Sequence, residues 1–294
     1  MIIVDYSQTA ISTLMAELRG RTDAEISLPL VRHMIINAIR SYKKRFGEDY
    51  GEIVLACDNK HYWRKRDYPF YKANRKKARD DSGFDWSAIF EALNQIKQEI
   101  SENFPYPVVE VHTAEADDVI ASLVEWTQNN DLVQIGLGYE PQPVLILSGD
   151  HDFAQLQKYK NVSQYSPIFK KWVKSKNPEK ELVEKILLGD KGDGIPNFLS
   201  DDDTFVEGKR QKPIRKKDLS LWLEQPITVW NGTPHENNVR RNTALIDLSY
   251  IPISLKEEVI NNFIEQKGVR DRSKLLNYFI AHRMKNLMDH ITEF

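Results

Sequence analysis

Four apolar runs in this sequence stop at acid. Met1-Ile-Ile-Val4 is followed by Asp5, Ile53-Val-Leu-Ala-Cys57 by Asp58, Val108-Val-Glu-Val111 by Glu115-Ala-Asp117-Asp118, and Val144-Leu-Ile-Leu147 by Ser-Gly-Asp150-His-Asp152. Any one of these acids, taken alone, reads as a polar turn residue. As a recurring set they point to chemistry. Unit charges about 4 Å apart repel by roughly 4 kcal/mol at an effective dielectric near 20. Converging carboxylates therefore either hold protons or have cations among them. Oxygen donors of this kind suit hard divalent ions, Mg²⁺ or Mn²⁺. The chemistry that paired hard ions serve is phosphoryl or phosphodiester displacement, with water activated and the leaving oxygen stabilised.

The apolar runs read as buried strands, and in an open α/β sheet ligands bind in the crevice beyond the carboxyl ends of the strands. Between the first two runs, Val31, Met34, Ile35, Ala38, Ile39 and Tyr42 recur at helical spacing over 27–46, with Gly47 as a stop. Strand, helix and strand at this length form a βαβ unit of a parallel sheet. Further helices are expected at 86–100, which faces a core, and from Glu115, where an acidic first turn favours the helix dipole. Three acids in four residues exceed what capping needs. A surface excursion is expected over 128–143, an edge hairpin over 162–173 and a helix over 179–188. That last helix runs into Gly189-Asp190-Lys-Gly-Asp193-Gly-Ile-Pro196. The segment 200–240 reads as polar and irregular, and helical patterns return at 255–266 and 274–288.

Of the 294 residues, 41% are hydrophobic and 29% charged. No apolar run approaches the ~20 residues a membrane span needs, and no charged-then-apolar leader opens the chain. The single cysteine, Cys57, excludes an internal disulfide and suits a reducing cytoplasm. The net charge of −2 says little, but its distribution says more. Positions 60, 64, 65, 66, 72, 75, 76, 77 and 79 are Lys or Arg, against one acid, Asp67. Six further cations lie between Lys209 and Lys217 with no acid among them. In the first block Tyr62, Trp63, Tyr68, Phe70 and Tyr71 interleave with the cations, so bases can stack while Lys and Arg follow phosphates. The competing reading is a solvated helix with its aromatics buried underneath. An acidic crevice beside basic segments is what a metal-dependent enzyme acting on a polyanion needs.

Taken in order, Val4-Asp5, Ala56-Cys-Asp58, Tyr68-Pro-Phe-Tyr-Lys72-Ala-Asn-Arg75, Glu115-Ala-Asp-Asp118, Ser148-Gly-Asp150-His-Asp152-Phe and Gly189-Asp190-Lys-Gly-Asp193 resemble the 5′-nuclease (flap endonuclease) superfamily. Its phage branch is indicated by Tyr62-Trp63-Arg64, Phe84-Asp-Trp86, Lys170-Lys-Trp-Val-Lys174 and Ile291-Thr-Glu-Phe294. The resemblance spans essentially the whole chain. It implies an α/β architecture: a PIN-like parallel-sheet nuclease domain at 1–185 with a helical arch at about 60–100, then a smaller, mostly helical DNA-binding domain at 186–294.

The same resemblance implies two Mg²⁺ ions, with Mn²⁺ as a substitute. Asp5, Asp58, Glu115, Asp117 and Asp150 would gather at the catalytic ion. Asp152, Asp190 and Asp193, with a share from Asp117 or Asp118, would hold the second. Lys72 and Arg64 match arch residues that steer the scissile phosphodiester, so the catalytic set is Asp5, Asp58, Asp117, Asp150, Lys72 and Arg64. Nucleic-acid contacts are expected from Arg64, Arg66, Tyr71, Lys72, Arg75, Lys76, Lys77 and Arg79, and from Lys209, Arg210 and Lys212. The implied substrates are RNA–DNA hybrid, duplex DNA and 5′-flap DNA, with RNA-primer removal in phage DNA replication as the role. Single-strand-binding protein and a sliding clamp are the implied partners, and the chain is expected to act as a monomer in the cytoplasm of the host cell. Two departures stand out. Gly194 replaces the usual Asn, and no Gly-rich helix-hairpin follows Pro196, so no monovalent-ion site is assigned. The rival readings are a catalytically silent, structure-specific nucleic-acid binder and a Mg²⁺-dependent phosphatase, which would have no use for the basic 60–79 stretch.

Overall fold

A computed structural model describes residues 1–18, 20–22, 26–135 and 138–294, with the backbone alone at Lys77, Ala78 and Ile135. The chain begins β1 (Ile2–Asp5), α1 (Tyr6–Leu18), α2 (Leu28–Tyr50) and β2 (Ile53–Ala56). The basic stretch forms α3 (Trp63–Asp67) and α4 (Asn74–Asp80), followed by α5 (Trp86–Asn103), β3 (Val108–Val109) and α6 (Ala116–Asn130). Next come β4 (Leu132–Ile135), β5 (Gly138–Pro141), β6 (Val144–Leu147), a 3₁₀ turn (His151–Lys158), β7 (Val162–Ser166), β8 (Lys171–Val173) and α7 (Pro178–Leu188). The remainder is helical: α8 (Lys216–Trp222), α9 (Glu236–Ile246), α10 (Ile253–Gln266), α11 (Leu275–Ala281) and α12 (Lys285–Met288).

The main sheet has the order β3-β2-β1-β6-β7-β8, parallel throughout except for β8. The central strands β2 and β6 are apolar at every position, and β1 at every position before Asp5, because both faces are covered, and successive residues enter opposite cores. Ile2, Val4, Ile53, Leu55, Leu145 and Leu147 face one cluster, with α1, α2 and α5. Ile3, Val54, Ala56, Val144 and Ile146 face the other, with α6 and α10. From β1 the chain builds outward to β2 and β3, then returns to place β6 and β7 on the other side. The order therefore reverses between β1 and β6. Loops part at such a switch point, and a crevice opens beyond the carboxyl ends of the two strands.

Residues from 186 onward pack in three places. Helix α10 covers one face of the sheet through Leu255, Val259 and Phe263. Helices α11 and α12 and the buried Phe294 close the other face against Phe104 and Tyr106. A third cluster joins α7 and α9 to Tyr68 and Tyr71 of the basic stretch. Several boundaries differ from the sequence reading. Gly47 lies inside α2, which continues to Tyr50 and stops at Gly51, φ +85°. Helix α5 is a core layer rather than part of an arch, burying Ile89, Leu93, Ile96 and Ile100. The 128–143 excursion contains the antiparallel pair β4–β5, with Gly136 outside the described residues. The 200–240 segment carries α8 and the start of α9. The 274–288 helix breaks where Arg283 turns left-handed, φ +55°. The 162–173 hairpin forms at the sheet edge, as expected. Among the described residues no helix is long and apolar enough to cross a membrane.

Candidate active site

Asp5 closes β1, Asp58 follows β2 by two residues, and Asp150 follows β6 by three. These are the strands that flank the switch point or lie next to it, so parallel pairing brings the three acids to one crevice. The Asp5 carboxylate accepts hydrogen bonds from Gln8 N at 3.0 Å and Ser148 Oγ at 3.0 Å. Asp58 Oδ1 accepts from Ala116 N at 3.0 Å, which fixes the start of α6 against the end of β2. Glu115 and Asp117 are thereby delivered to the same crevice. From the far side, a tight turn after α7 brings in Asp190 and Asp193. Gly189 permits that turn, because a Cβ there would lie 2.4 Å from Ile195 O. Asp117, Asp152, Asp190 and Asp193 line one small cavity together with Arg64 and Tyr71.

Crowding shows in the acidities. Burial first, and the charge of Asp58 second, push the Asp5 carboxyl up to about 7. Burial also raises Asp117 well above the carboxylate range, with Asp150, Glu115 and Asp5 adding to it and Lys72 opposing. Asp150 is raised by burial, and the charges of Asp193 and Asp190 act on it in the same direction. Burial raises Asp190 too, but Lys185 and the N–H groups of Gly192 and Asp193 outweigh it, and its net shift is downward. A carboxyl raised in the folded state stabilises the fold below its unfolded pKa, and this contribution is lost as pH rises through the folded value. Without added metal, the fold should therefore lose on the order of 1 kcal/mol through Asp5 between about pH 6 and about pH 8. Asp5→Asn should remove that slope, read as melting temperature against pH in a chelating buffer. Equal slopes for the two proteins would contradict the assignment.

Protein cations already occupy part of the crevice. Lys72 has a left-handed backbone, φ +54°. Its ammonium is ion-paired with Glu115 and lies 3.6 Å from Asp193 Oδ2. Arg75 pairs with Asp193. Lys185 pairs with Asp152 and stands 2.7 Å from Asp190 Oδ2. Tyr71 Oη lies 3.0 Å from both Glu115 Oε2 and Asp193 Oδ2. In this arrangement no three His, Cys, Asp or Glu side chains among the described residues stand in a metal-ligating geometry. The donor chemistry nevertheless fits a hard cation: among the described residues Asp117 accepts no hydrogen bond and makes no ion pair, and the acids around it are oxygen donors.

Three expected roles are corrected by burial. Arg64 does not face substrate. It is 2% exposed and donates to Glu115 Oε2 at 2.8 Å, Asp118 Oδ1 at 2.7 Å and Leu245 O at 2.9 Å, with Trp63 beneath it. It is an internal strut rather than a phosphate contact. Asp118 is fully buried, and its oxygens are used by Arg64, Trp63 Nε1 and Glu115 N, so it caps α6 and holds Arg64 instead of binding an ion. Tyr71 is 2% exposed, so its ring has no face for a base; Trp63 and Tyr68 are buried in the same way. The buried-aromatic reading of this stretch holds for these three rings.

Arg66, Arg75 and Lys76 are exposed and Arg79 is half-buried, while the side chain of Lys77 lies outside the described residues. Lys209, Arg210 and Lys212 are exposed on a loop where Lys209 pairs with Asp203 and Lys212 with Asp201. Gly194 has a local reason: a Cβ there would lie 3.1 Å from Phe70 O and 3.3 Å from Asn74 Oδ1, where the basic stretch crosses the Asp190–Asp193 turn. Sequence reasoning missed Lys185. A lone lysine in the Lys- and Glu-rich helix α7 carries no signal until the turn at Gly189 folds Asp190 back towards it.

Residues 10–186 match the model of the 5′-3′ exonuclease, N-terminal resolvase-like domain, and the chain belongs to that family of nucleases. Residues 176–294 match the T4 RNase H, C-terminal family. Ribonuclease H of Enterobacteria phage T4 is 35% identical over 303 residues, spanning 99% of this chain and 95% of that protein. DNA polymerase I of Caldicellulosiruptor bescii is 30% identical over 175 residues, 55% of this chain and 18% of the polymerase. Among solved structures, the bacteriophage T5 D15 protein co-crystallised with metal ions superposes with a TM-score of 0.58 at 16% identity, covering 90% of this chain and 98% of that one. A T5 D15 flap endonuclease variant in a pseudo-enzyme–product complex with DNA and metal ions gives 0.57 at 16% identity, with the same coverage.

Proposed function

We propose that this nuclease is a divalent-metal-dependent 5′→3′ exonuclease and flap endonuclease. It hydrolyses the RNA of RNA–DNA hybrids, adjacent duplex DNA and 5′ flaps, and so removes primers during phage DNA replication. The observation that carries the reading is the convergence of Asp5, Asp58, Asp117 and Asp150 at the switch point of a parallel sheet. Asp152, Asp190 and Asp193 approach from the opposite side. The relationship to the T4 ribonuclease H along nearly its whole length supports the substrate class. Two Mg²⁺ ions, or Mn²⁺ in their place, would be held by Asp5, Asp58, Glu115, Asp117 and Asp150 on one side and by Asp152, Asp190 and Asp193 on the other. When bound, such ions neutralise phosphate charge and lower the pKa of an attacking water.

The chain's own residues do the positioning. Lys72 and Arg75, poised over Asp193, supply positive charge where a scissile phosphate would approach the acids. Arg66, Lys76, Lys77 and Arg79 would follow the backbone of the strand beyond it, and Lys209, Arg210 and Lys212 would meet the duplex. The chain would act as a monomer in the host cytoplasm, beside a single-strand-binding protein and a sliding clamp. The deciding measurement is cleavage of a 5′-labelled RNA-primed duplex and of a 5′-flap DNA, with Mg²⁺ or with EDTA. Short 5′ products that disappear in EDTA are expected. Binding to both substrates with no cutting in Mg²⁺ or Mn²⁺ would leave a silent nucleic-acid binder instead.

A further inference from the structure

Lys185 stands in the acidic crevice although its helix belongs to the far wall. Its ammonium is ion-paired with Asp152 and lies 2.7 Å from Asp190 Oδ2, so one lysine bridges the two acids. Beside it, between the 3₁₀ turn after β6 and α7, is a cavity of about 320 Å³. Glu181, Glu184, His151 and Lys185 itself are among its lining residues. Among the described residues Glu181 Oε2 is buried and accepts no hydrogen bond, with His151 Nε2 at 3.2 Å, while Glu181 Oε1 accepts from Lys176 N at 3.2 Å. Glu181 is also one helical turn before Lys185, on the same face of α7. A long, flexible lysine side chain thus has two acidic destinations: the Asp152–Asp190 pair, and the cavity with the free Oε2 of Glu181.

We propose that Lys185 is a displaceable internal counter-ion. It occupies the place between Asp152 and Asp190 that a divalent ion takes, and it withdraws towards Glu181 when the ion arrives. This rests on the metal-dependent reading above and adds a device to it. Any ion held by Asp152 and Asp190 must compete with a tethered ammonium, so its affinity is weaker than the four or five acids around it would otherwise give. Among the described residues no lysine or arginine is paired with Asp5, Asp58 or Asp150, and the cation beside them, Lys72, is paired with Glu115, so an ion held by those three acids meets weaker competition and the two sites differ in affinity.

The test is Mn²⁺ binding to the full chain without nucleic acid, counted by the loss of the free-ion paramagnetic signal. Wild type should show a tighter and a weaker class of site. Lys185→Met should tighten the weaker class about tenfold and leave the other unchanged. Glu181→Gln, which removes the alternative partner and keeps the crevice acids intact, should weaken the same class about threefold. A weaker class unmoved by Lys185→Met, or loosened by it, would overturn the proposal while leaving metal dependence in place. Failure of wild type to bind any Mn²⁺ would overturn the metal-dependent reading, and this proposal with it.

Discussion

Asp150→Asn is expected to lower cleavage by about a thousandfold while leaving binding of a flap or hybrid substrate within a few-fold of wild type. The side chain sits beyond β6, where the strand order reverses, and its charge acts on Asp117 and Asp5. Asn keeps its shape and can still accept the hydrogen bond from Asp152 N that Asp150 Oδ1 receives at 3.0 Å. The substitution therefore removes a charge from the metal-binding set without removing a structural contact. In EDTA the variant should melt no lower than wild type, because that charge is unfavourable among its neighbours. Single-turnover cleavage separates chemistry from binding. A rate within tenfold of wild type would take Asp150 out of the catalytic set.

The second large effect concerns stability. Arg64→Met should destabilise the fold by about 3–5 kcal/mol, because it leaves Asp118 buried without its counter-charge and Glu115 with Lys72 alone. Against a typical total of about 5–15 kcal/mol, that is a large share. Arg64 also donates to Leu245 O, so the loss unties α3 from α9. Arg64→Lys should recover only part of it, since one ammonium cannot reproduce the fork that reaches Glu115, Asp118 and Leu245 together. Urea denaturation at neutral pH reads both variants. A midpoint shift equivalent to under about 1 kcal/mol for Arg64→Met would mean that these carboxylates are not held ionised by Arg64.

Much of the site was legible in the primary structure because parallel sheets impose a simple rule. Strands buried on both faces are apolar throughout, and the polar residues that follow them must emerge at one edge. Asp5, Asp58, Glu115, Asp117 and Asp150 could therefore be picked out from local pattern alone, as could most of the helices. The basic block at 60–79 was equally visible as composition, but its division of labour was not. Arg64 and Arg66 are two residues apart and indistinguishable in pattern, yet one is an internal strut and the other lies in solvent. Tyr71 and Phe70 are adjacent, and only Tyr71 reaches the acids.

The sequence by itself determined that acids gather at strand ends, that cations concentrate in two segments and that the chain forms an α/β nuclease. Periodicity and strand-end composition are local properties, and they survive without knowledge of which element lies beside which. Tertiary structure alone decided how each charge is spent. It buried Arg64 between Glu115 and Asp118, turned Asp118 from ligand to cap, set Lys72 over Glu115 and brought Lys185 between Asp152 and Asp190. It also sent α10 to one face of the sheet and α11 and α12 to the other. The reason is physical: a charge's role depends on its partners and its burial, and both are settled by contacts between residues that are, like Arg64 and Leu245, far apart in the chain.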